Sequence, residues 1–308
     1  MIRNTASIDD LGLNIAESKN WKDYELLDSG DGRKLERYGD FRFIRPESQA
    51  LWQPLLPVAE WKKADGVFHE SSDKEESKWN LKQGLPARWN IRYGDLTFRV
   101  EPTPFRHFGV FPEQASHWDW IRDQISHVQE PVNVLNLFGY TGIASLSAAA
   151  AGASVTHVDA SKKSITWARE NQSLSTLQDK PIRWIVDDAL SFVQREIRRG
   201  AKYQGIIIDP PKYGRGPKGE VWKLEEMLPT LLRECRKLLV DRPLFLVITV
   251  YAVRLSSVSL HYALRESVAD LGGKVSSGEL TIAETGGRRL SPAIYSRWST
   301  QRSLSPVI

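Results

Sequence analysis

Between residues 22 and 101, apolar and polar side chains alternate with a period of two, in short runs separated by turn residues. The stretch "DYELLDSGDGRKLERYGDFRFIRP" reads as strand, Asp-Gly turn, strand, Tyr-Gly-Asp turn, strand. The tetrapeptide "RYGD" stands at 37–40 and again at 92–95, each time between two strand-like runs. A duplicated hairpin and the reuse of a good turn both explain it. The similarity barely extends past the four residues, which favours reuse. "HESSDKEESKWN" (69–80) is polar and predicts an exposed loop. Residues 1–104 therefore read as a small β-rich N-terminal domain.

From residue 131 the pattern changes. "PVNVLNLF", "SVTHVD", "IRWIV", "YQGIIID" and "PLFLVITV" are short apolar runs. Each is followed by a segment of helical character: "TGIASLSAAAAG", "SKKSITWARENQSL", "DALSFVQREIRR", "EVWKLEEMLPTLLRECRKLL" and "SVSLHYALRESVADLG". Strands that alternate with helices predict a doubly wound, mostly parallel α/β sheet. "KVSSGELTIAE" and "PAIYSRWS" then come with only "TGGRRLS" between them, so the last strand is antiparallel. The expectation is a seven-stranded sheet over residues 105–308, with Pro229 disturbing the fourth helix.

Bulk composition changes this picture little. Hydrophobic residues make up 41% of 308, enough for a core. A formal charge of +4 favours an anionic partner without proving one. The lone cysteine, Cys235, excludes an internal disulfide and fits a cytoplasmic setting. The first residues lack the apolar stretch of a signal peptide, and "LFLVITVYAV" is about half the ~20 residues a membrane helix needs. Of eleven tryptophans, seven (Trp21, Trp52, Trp61, Trp79, Trp89, Trp118 and Trp120) precede residue 125. They are either core filling, the commoner use, or a surface on which bases stack.

The candidate chemistry lies at strand ends. Gly139 and Gly142 bracket a tight turn before the first helix of the sheet, where amides and the helix dipole suit an anionic ligand. A plain strand-to-helix turn has the same glycines. Asp159 ends the next strand, twenty residues after Gly139, and can accept both hydroxyls of a ribose. Alternatively, Asp159 or Ser161 caps the following helix. Asp188 can accept from an adenine amino group, or cap a helix. Together the acids at successive strand ends point to adenosine at the sheet's ligand edge. "IIIDPPKYGRGPKGE" (206–220) is the sharpest corner: an apolar strand stops at Asp209, and two prolines stiffen the backbone immediately after it.

"VLNLFGYTG", "VDAS", "DDA" and "DPPKY", in this order, resemble the class I S-adenosylmethionine-dependent methyltransferases, with their Rossmann-like fold and reversed last strand. The resemblance is nearest to the ribosomal-RNA branch with an Asp-Pro-Pro-Lys-aromatic motif, and it covers about 104–299. It implies S-adenosyl-L-methionine as cofactor and a base of RNA as acceptor. Through "FGVFPEQ" it implies cofactor contacts at Phe111 and Gln114. "NLFGYTG" implies the methionine end near Asn136, Phe138, Gly139, Tyr140, Thr141 and Gly142. The ribose falls to Asp159, Ala160 and Ser161, and the adenine to Asp188 and Ala189. Asp209 touches both cofactor and acceptor. In related amine methyltransferases this corner holds the target nitrogen while an aromatic ring stacks on a base taken out of its stack. On that likeness Asp209, Pro210, Pro211, Lys212 and Tyr213 form the catalytic corner. Here Lys212 stands between proline and aromatic, so stacking falls to Tyr213 with altered geometry or to another ring.

The cytosine-C5 members of the branch use a cysteine after strand five, where this chain has "VITVYAVRLSS" and none. Cys235 lies on the apolar face of "LLRECRKLL", which reads as buried and inert. A nitrogen acceptor is thus expected, with oxygen the less favoured alternative. The six histidines show no metal-ligand spacing, and only His107 is suspected of lining the site. Lys212, Arg215, Lys218, Arg288 and Arg289 make either a phosphate footprint at one sheet edge or solvated basic loops. Other readings are a methyltransferase with a non-RNA acceptor, a nicotinamide-dependent oxidoreductase, which lacks its full G-x-G-x-x-G here, and a noncatalytic RNA-binding protein.

Overall fold

The computed structural model describes residues 13–18, 21–70, 78–251 and 255–300. The predicted N-terminal strands form as β2 (Tyr24–Gly30), β3 (Arg33–Tyr38) and β4 (Phe41–Pro46), joined by the two expected turns. After the short helix α1 (Val58–Trp61), β5 (Gly66–His69) and β6 (Lys78–Leu81) complete a five-stranded sheet in sequence order. The exposed loop expected over 69–80 is corrected at its end. Lys78, Trp79 and Asn80 pair with β5, and residues 71–77 lie outside the described ones. The second "RYGD" turn joins β7 (Trp89–Tyr93) to β8 (Leu96–Val100).

The early tryptophans are packing residues. Trp79 and Trp89 meet Phe43 and Phe108 at ring distances of 5.0–6.0 Å. Trp21, Trp52, Trp61, Trp79 and Trp89, buried or half-buried, each donate their indole N–H to a protein oxygen. Beneath them Arg45 makes a bidentate pair with Glu36 at 2.7 Å. Burial alone raises the Glu36 carboxyl, but the Arg45 and Lys34 charges bring it down to about 2.

The large sheet consists of β9 (Asn133–Leu137), β10 (Ser154–Asp159), β11 (Ile182–Val186), β12 (Gly205–Ile208), β15 (Phe245–Tyr251), β16 (Lys274–Ala283) and β17 (Arg289–Ser299). All seven expected strands are present, with β17 antiparallel to both neighbours. An eighth, β1 (Leu13–Glu17), adds in parallel at the edge beside β16. Residues assigned by sequence to the N-terminal unit therefore extend the large sheet. The order β1-β16-β17-β15-β12-β9-β10-β11 reverses direction at β9, the place where doubly wound sheets take their ligands.

Helices α2 (Ala115–Ser126), α3 (Ile143–Ala150) and α4 (Lys162–Leu174) cover one face; α5 (Ala189–Arg198), α6 (Leu224–Leu238) and α7 (Ser257–Ser267) cover the other. Helix α6 starts four residues later than predicted. Val221–Lys223 instead forms β14, a hairpin with β13 (Tyr213–Arg215). Pro229 lies in α6 without ending it. Cys235 sits on its apolar face, fully buried beside Leu231, Leu232 and Leu238, and burial raises its thiol far above the usual range. No helix among the described residues is long and apolar enough to cross a membrane.

Candidate active site

Register brings the strand-end residues together. Leu137 pairs with both Val158 and Ile208, so Phe138, Asp159 and Asp209 emerge side by side. Asp159 pairs with Val186, which puts Asp187 and Asp188 next in line. Above these ends opens a cavity of about 640 Å³, within the range of small-molecule sites. Phe111, Phe138, Tyr140, Asp159, Ala160, Ser161, Asp188, Ala189, Asp209, Pro210 and Pro211 line it, as does the suspected His107.

The turn "FGYTG" is backbone-constrained. Phe138, Tyr140 and Gly142 all have positive φ, at 57°, 50° and 85°. At Gly139 a Cβ would lie 2.3 Å from the His157 ring, so only glycine lets the turn cross that buried histidine. Gly139→Ala is expected to cost roughly 1–3 kcal/mol through overpacking. Urea unfolding checks this, and unchanged stability contradicts the close approach.

The two alternatives for the acids separate here. Ser161, not Asp159, caps α4, its hydroxyl accepting from Ser164 N–H at 3.2 Å. Asp159 is held by the backbone N–H groups of Tyr140 and Ser161, both at 2.8 Å, which aims the carboxylate from below. Burial raises its pKa and these two bonds oppose the rise. Asp188 does cap α5, accepting from Ser191 N–H at 2.8 Å, and it also walls the cavity. Asp187, buried and paired with Arg195, accepts from Asp188 N–H and so sets that residue's backbone.

The Asp-Pro-Pro corner is braced from outside. Trp222, on β14, donates to the Pro211 carbonyl at 2.7 Å and packs on Phe138 with centroids 4.9 Å apart. Asp209 Oδ2 accepts from Gln114 Nε2 at 2.9 Å, and the same nitrogen donates to Tyr251 Oη at 3.0 Å. Behind them lies Glu113, buried and bonded to Tyr251. Burial, then the Glu113 charge, push Asp209 up to about 8.

Several expected residues do not come together. Tyr213 is 53% exposed, and neither it nor Lys212 lines the cavity; the rings that do include Phe105, Phe111, Tyr140 and Tyr251. Of the expected basic footprint, Arg215 lines the cavity mouth while Lys218 is exposed away from it. Arg288 is a clamp: it binds Glu284, Asp28 and the Ser29 carbonyl, tying the β16–β17 hairpin to the N-terminal sheet. Arg289 pairs with Glu17 of β1. Besides Arg215, the basic residues in the wall are Lys34 and Arg45, from the N-terminal sheet, and Arg106, just after it. Sequence reading missed Lys34 and Arg45 because nothing local marks a strand residue as facing a distant cavity. Glu113 had a signal, since it stands inside "FGVFPEQ" beside Gln114. Asn136 and Thr141 do not line this cavity but a smaller one of about 50 Å³ beside it: Asn136 bonds Ser145, and Thr141 Oγ1 donates to the Gly109 carbonyl. Among the described residues no three of His, Cys, Asp and Glu converge as metal ligands.

A doubly wound sheet with a reversed last strand, carrying acids at the ends of β10–β12 around a nucleoside-sized cavity, defines an S-adenosylmethionine-dependent methyltransferase. The profile of that family matches residues 57–265, and the chain belongs to it. A SAM-dependent methyltransferase from Agrobacterium tumefaciens superposes with a TM-score of 0.89 at 49% identity, over 94% of each chain. The structure of SMU.776 complexed with SAH shares the fold, with a TM-score of 0.68 at 18% identity, over 91% of this chain and 76% of that one. The ribosomal RNA large subunit methyltransferase K/L of Shewanella sp. (strain MR-4) is 42% identical over 125 residues, 40% of this chain and 17% of that protein. Its counterpart from Pseudoalteromonas atlantica is 31% identical over 222 residues, 67% of this chain and 30% of that protein. The chain thus matches less than a third of the length of these curated relatives. Family membership decides against the nicotinamide reading.

Proposed function

We propose that the chain methylates a nitrogen of a base in RNA, with ribosomal RNA favoured, in the cytoplasm. The observation that carries this is the Asp209–Pro210–Pro211 corner, whose carboxylate faces the same cavity as the ribose-side acid Asp159. S-adenosylmethionine, when bound, supplies an electrophilic methyl group. Asp159 takes the ribose hydroxyls, with Ala160 and Ser161 beside it, and Asp188 and Ala189 take the adenine. Phe111, Gln114 and the 138–142 turn take the methionine end. Asp209 accepts hydrogens of the target nitrogen and keeps its lone pair toward the methyl, a positioning that the two prolines fix in advance. The sole cysteine is buried in α6, so the chain offers no thiolate for a carbon-5 adduct.

The N-terminal unit from β2 onward acts as the RNA-recognition wall, because Lys34, Arg45 and residues 46–49 line the same cavity as the strand ends. Arg215 at the mouth supplies a phosphate contact. The relatives named for large-subunit ribosomal RNA support this acceptor. RNA binding is expected to weaken steeply with salt, by a slope of about 0.7 per phosphate contact for a single strand. Filter binding across a salt series checks it, and a flat response counts against RNA. The acceptor itself is found by digesting RNA from a strain lacking the gene. The absent nucleoside is expected to carry its methyl on nitrogen; a missing 5-methylpyrimidine overturns the proposal.

A further inference from the structure

His117, on the first turn of α2, is buried with 2% exposure. Its Nδ1 accepts from Arg297 Nε at 2.8 Å and from Arg297 Nη2 at 2.5 Å. A guanidinium only donates, so Nδ1 carries no proton. Burial lowers Arg297 to about 10, which leaves it charged at neutral pH. Burial, then this neighbouring charge, hold the His117 pKa well below the usual histidine range. The ring is therefore neutral, and its one proton sits on Nε2. That atom is buried and has no partner among the described residues.

His117 forms one wall of a second, small cavity of about 50 Å³ behind the "FGYTG" turn. A water's share of liquid volume is about 30 Å³, so the space suits a carboxylate-sized group. Ile143 and Ala144, in the first turn of α3, line the same space and bring the positive end of that helix to it. Gln114 and Asp209 also line it. An unpartnered buried N–H and the positive end of a helix beside the same space suit a carboxylate.

We infer that the Nε2–H of His117, its tautomer locked by Arg297, donates to the α-carboxylate of the methionine end of the cofactor. The inference rests on S-adenosylmethionine being the cofactor. It makes His117 a binding residue and Arg297 a positioning residue.

The test is calorimetric titration of the full chain with S-adenosylhomocysteine and with 5′-methylthioadenosine, which lacks the amino-acid part. His117→Phe is expected to weaken S-adenosylhomocysteine roughly 10–100-fold, the loss of one charge-assisted bond, and to leave methylthioadenosine unchanged. His117→Gln keeps an N–H donor and is expected to retain most of the affinity. Unchanged S-adenosylhomocysteine affinity in folded His117→Phe overturns the inference, for the donor then faces only water. An equal loss for both ligands also overturns it, by showing a merely structural role. Nitrogen-15 NMR of the wild-type imidazole covers the case in which the phenylalanine variant does not fold. Nε2 is expected to be the protonated nitrogen and to shift with S-adenosylhomocysteine but not with methylthioadenosine; the opposite tautomer, or no shift, refutes it. Failure of the wild type to bind either ligand would strike the cofactor reading instead.

Discussion

Asp209→Ala is expected to lower methyl transfer ~10²-fold or more while S-adenosylhomocysteine affinity largely survives, since orientation of the acceptor contributes on that scale. The fold should tolerate the change. The carboxyl is held at about 8 by burial and by Glu113, so the native state keeps a reluctant acid there. Unfolded, the carboxyl titrates at about 4. Its native environment favours the protonated form, so its stabilising contribution is present at low pH and is lost as pH rises from about 4 to about 8. Asp209→Ala is expected to flatten that part of the stability profile in urea titrations. Activity runs the other way, because the ionised carboxylate accepts on both oxygens whereas the protonated form turns one of them into a donor. The acceptor-side kcat/KM of the wild type should therefore climb through about pH 8 and level off. Cys235→Ser gives the contrast. A hydroxyl on the apolar face of α6 costs roughly 1–3 kcal/mol of stability, yet turnover per folded molecule stays near wild type. Single-turnover transfer of labelled methyl, corrected for folded fraction, decides between them. A well-folded but inactive Cys235→Ser protein would sink the nitrogen-acceptor mechanism.

Periodicity made the large sheet legible because each parallel strand is a local apolar run, even at the edge: "SVTHVD" and "IRWIV" coincide with β10 and the edge strand β11 to the residue. Acids that end such strands stay legible too, because a strand end is a local event that register turns into a neighbourhood. Long-range pairing was not legible. Leu13–Glu17 joins the sheet by bonding to β16, some 260 residues away, and no local pattern announces that. Val221–Lys223 has helical neighbours on one side, yet it becomes a strand because Tyr213–Arg215 pairs with it and Trp222 must reach Pro211. Arg288 shows the same limit in a side chain. Its charge was visible, but its carboxylate partners Asp28 and Glu284 turn an expected RNA contact into an internal clamp. Glu113 and Tyr251 become important only because folding sets them behind Asp209.

Asp159→Ala is the sharper test of where the nucleoside sits. In the folded chain the carboxylate receives two backbone N–H groups, from Tyr140 and Ser161, each at 2.8 Å. These bonds fix its orientation but fill only part of its capacity, since an ionised carboxylate offers about four lone-pair sites. The remaining sites point to a partner that donates, and a ribose offers two hydroxyls. Removing the carboxylate should cost roughly 2–4 kcal/mol of S-adenosylhomocysteine binding, for one or two charge-assisted bonds. That is about 30- to 1000-fold in Kd. The same substitution strips the "FGYTG" turn of the Tyr140 N–H acceptor, so a loosened turn adds its own share of the loss. Asp159→Asn separates the two, because its carbonyl oxygen can still accept from Tyr140 while the second acceptor and the charge are gone. If the ribose is held here, Asn recovers little and 2′-deoxy-S-adenosylhomocysteine loses affinity in the wild type but not in the variant. Recovery to wild-type affinity in Asp159→Asn, or a wild type indifferent to the 2′-hydroxyl, removes Asp159 from the ribose.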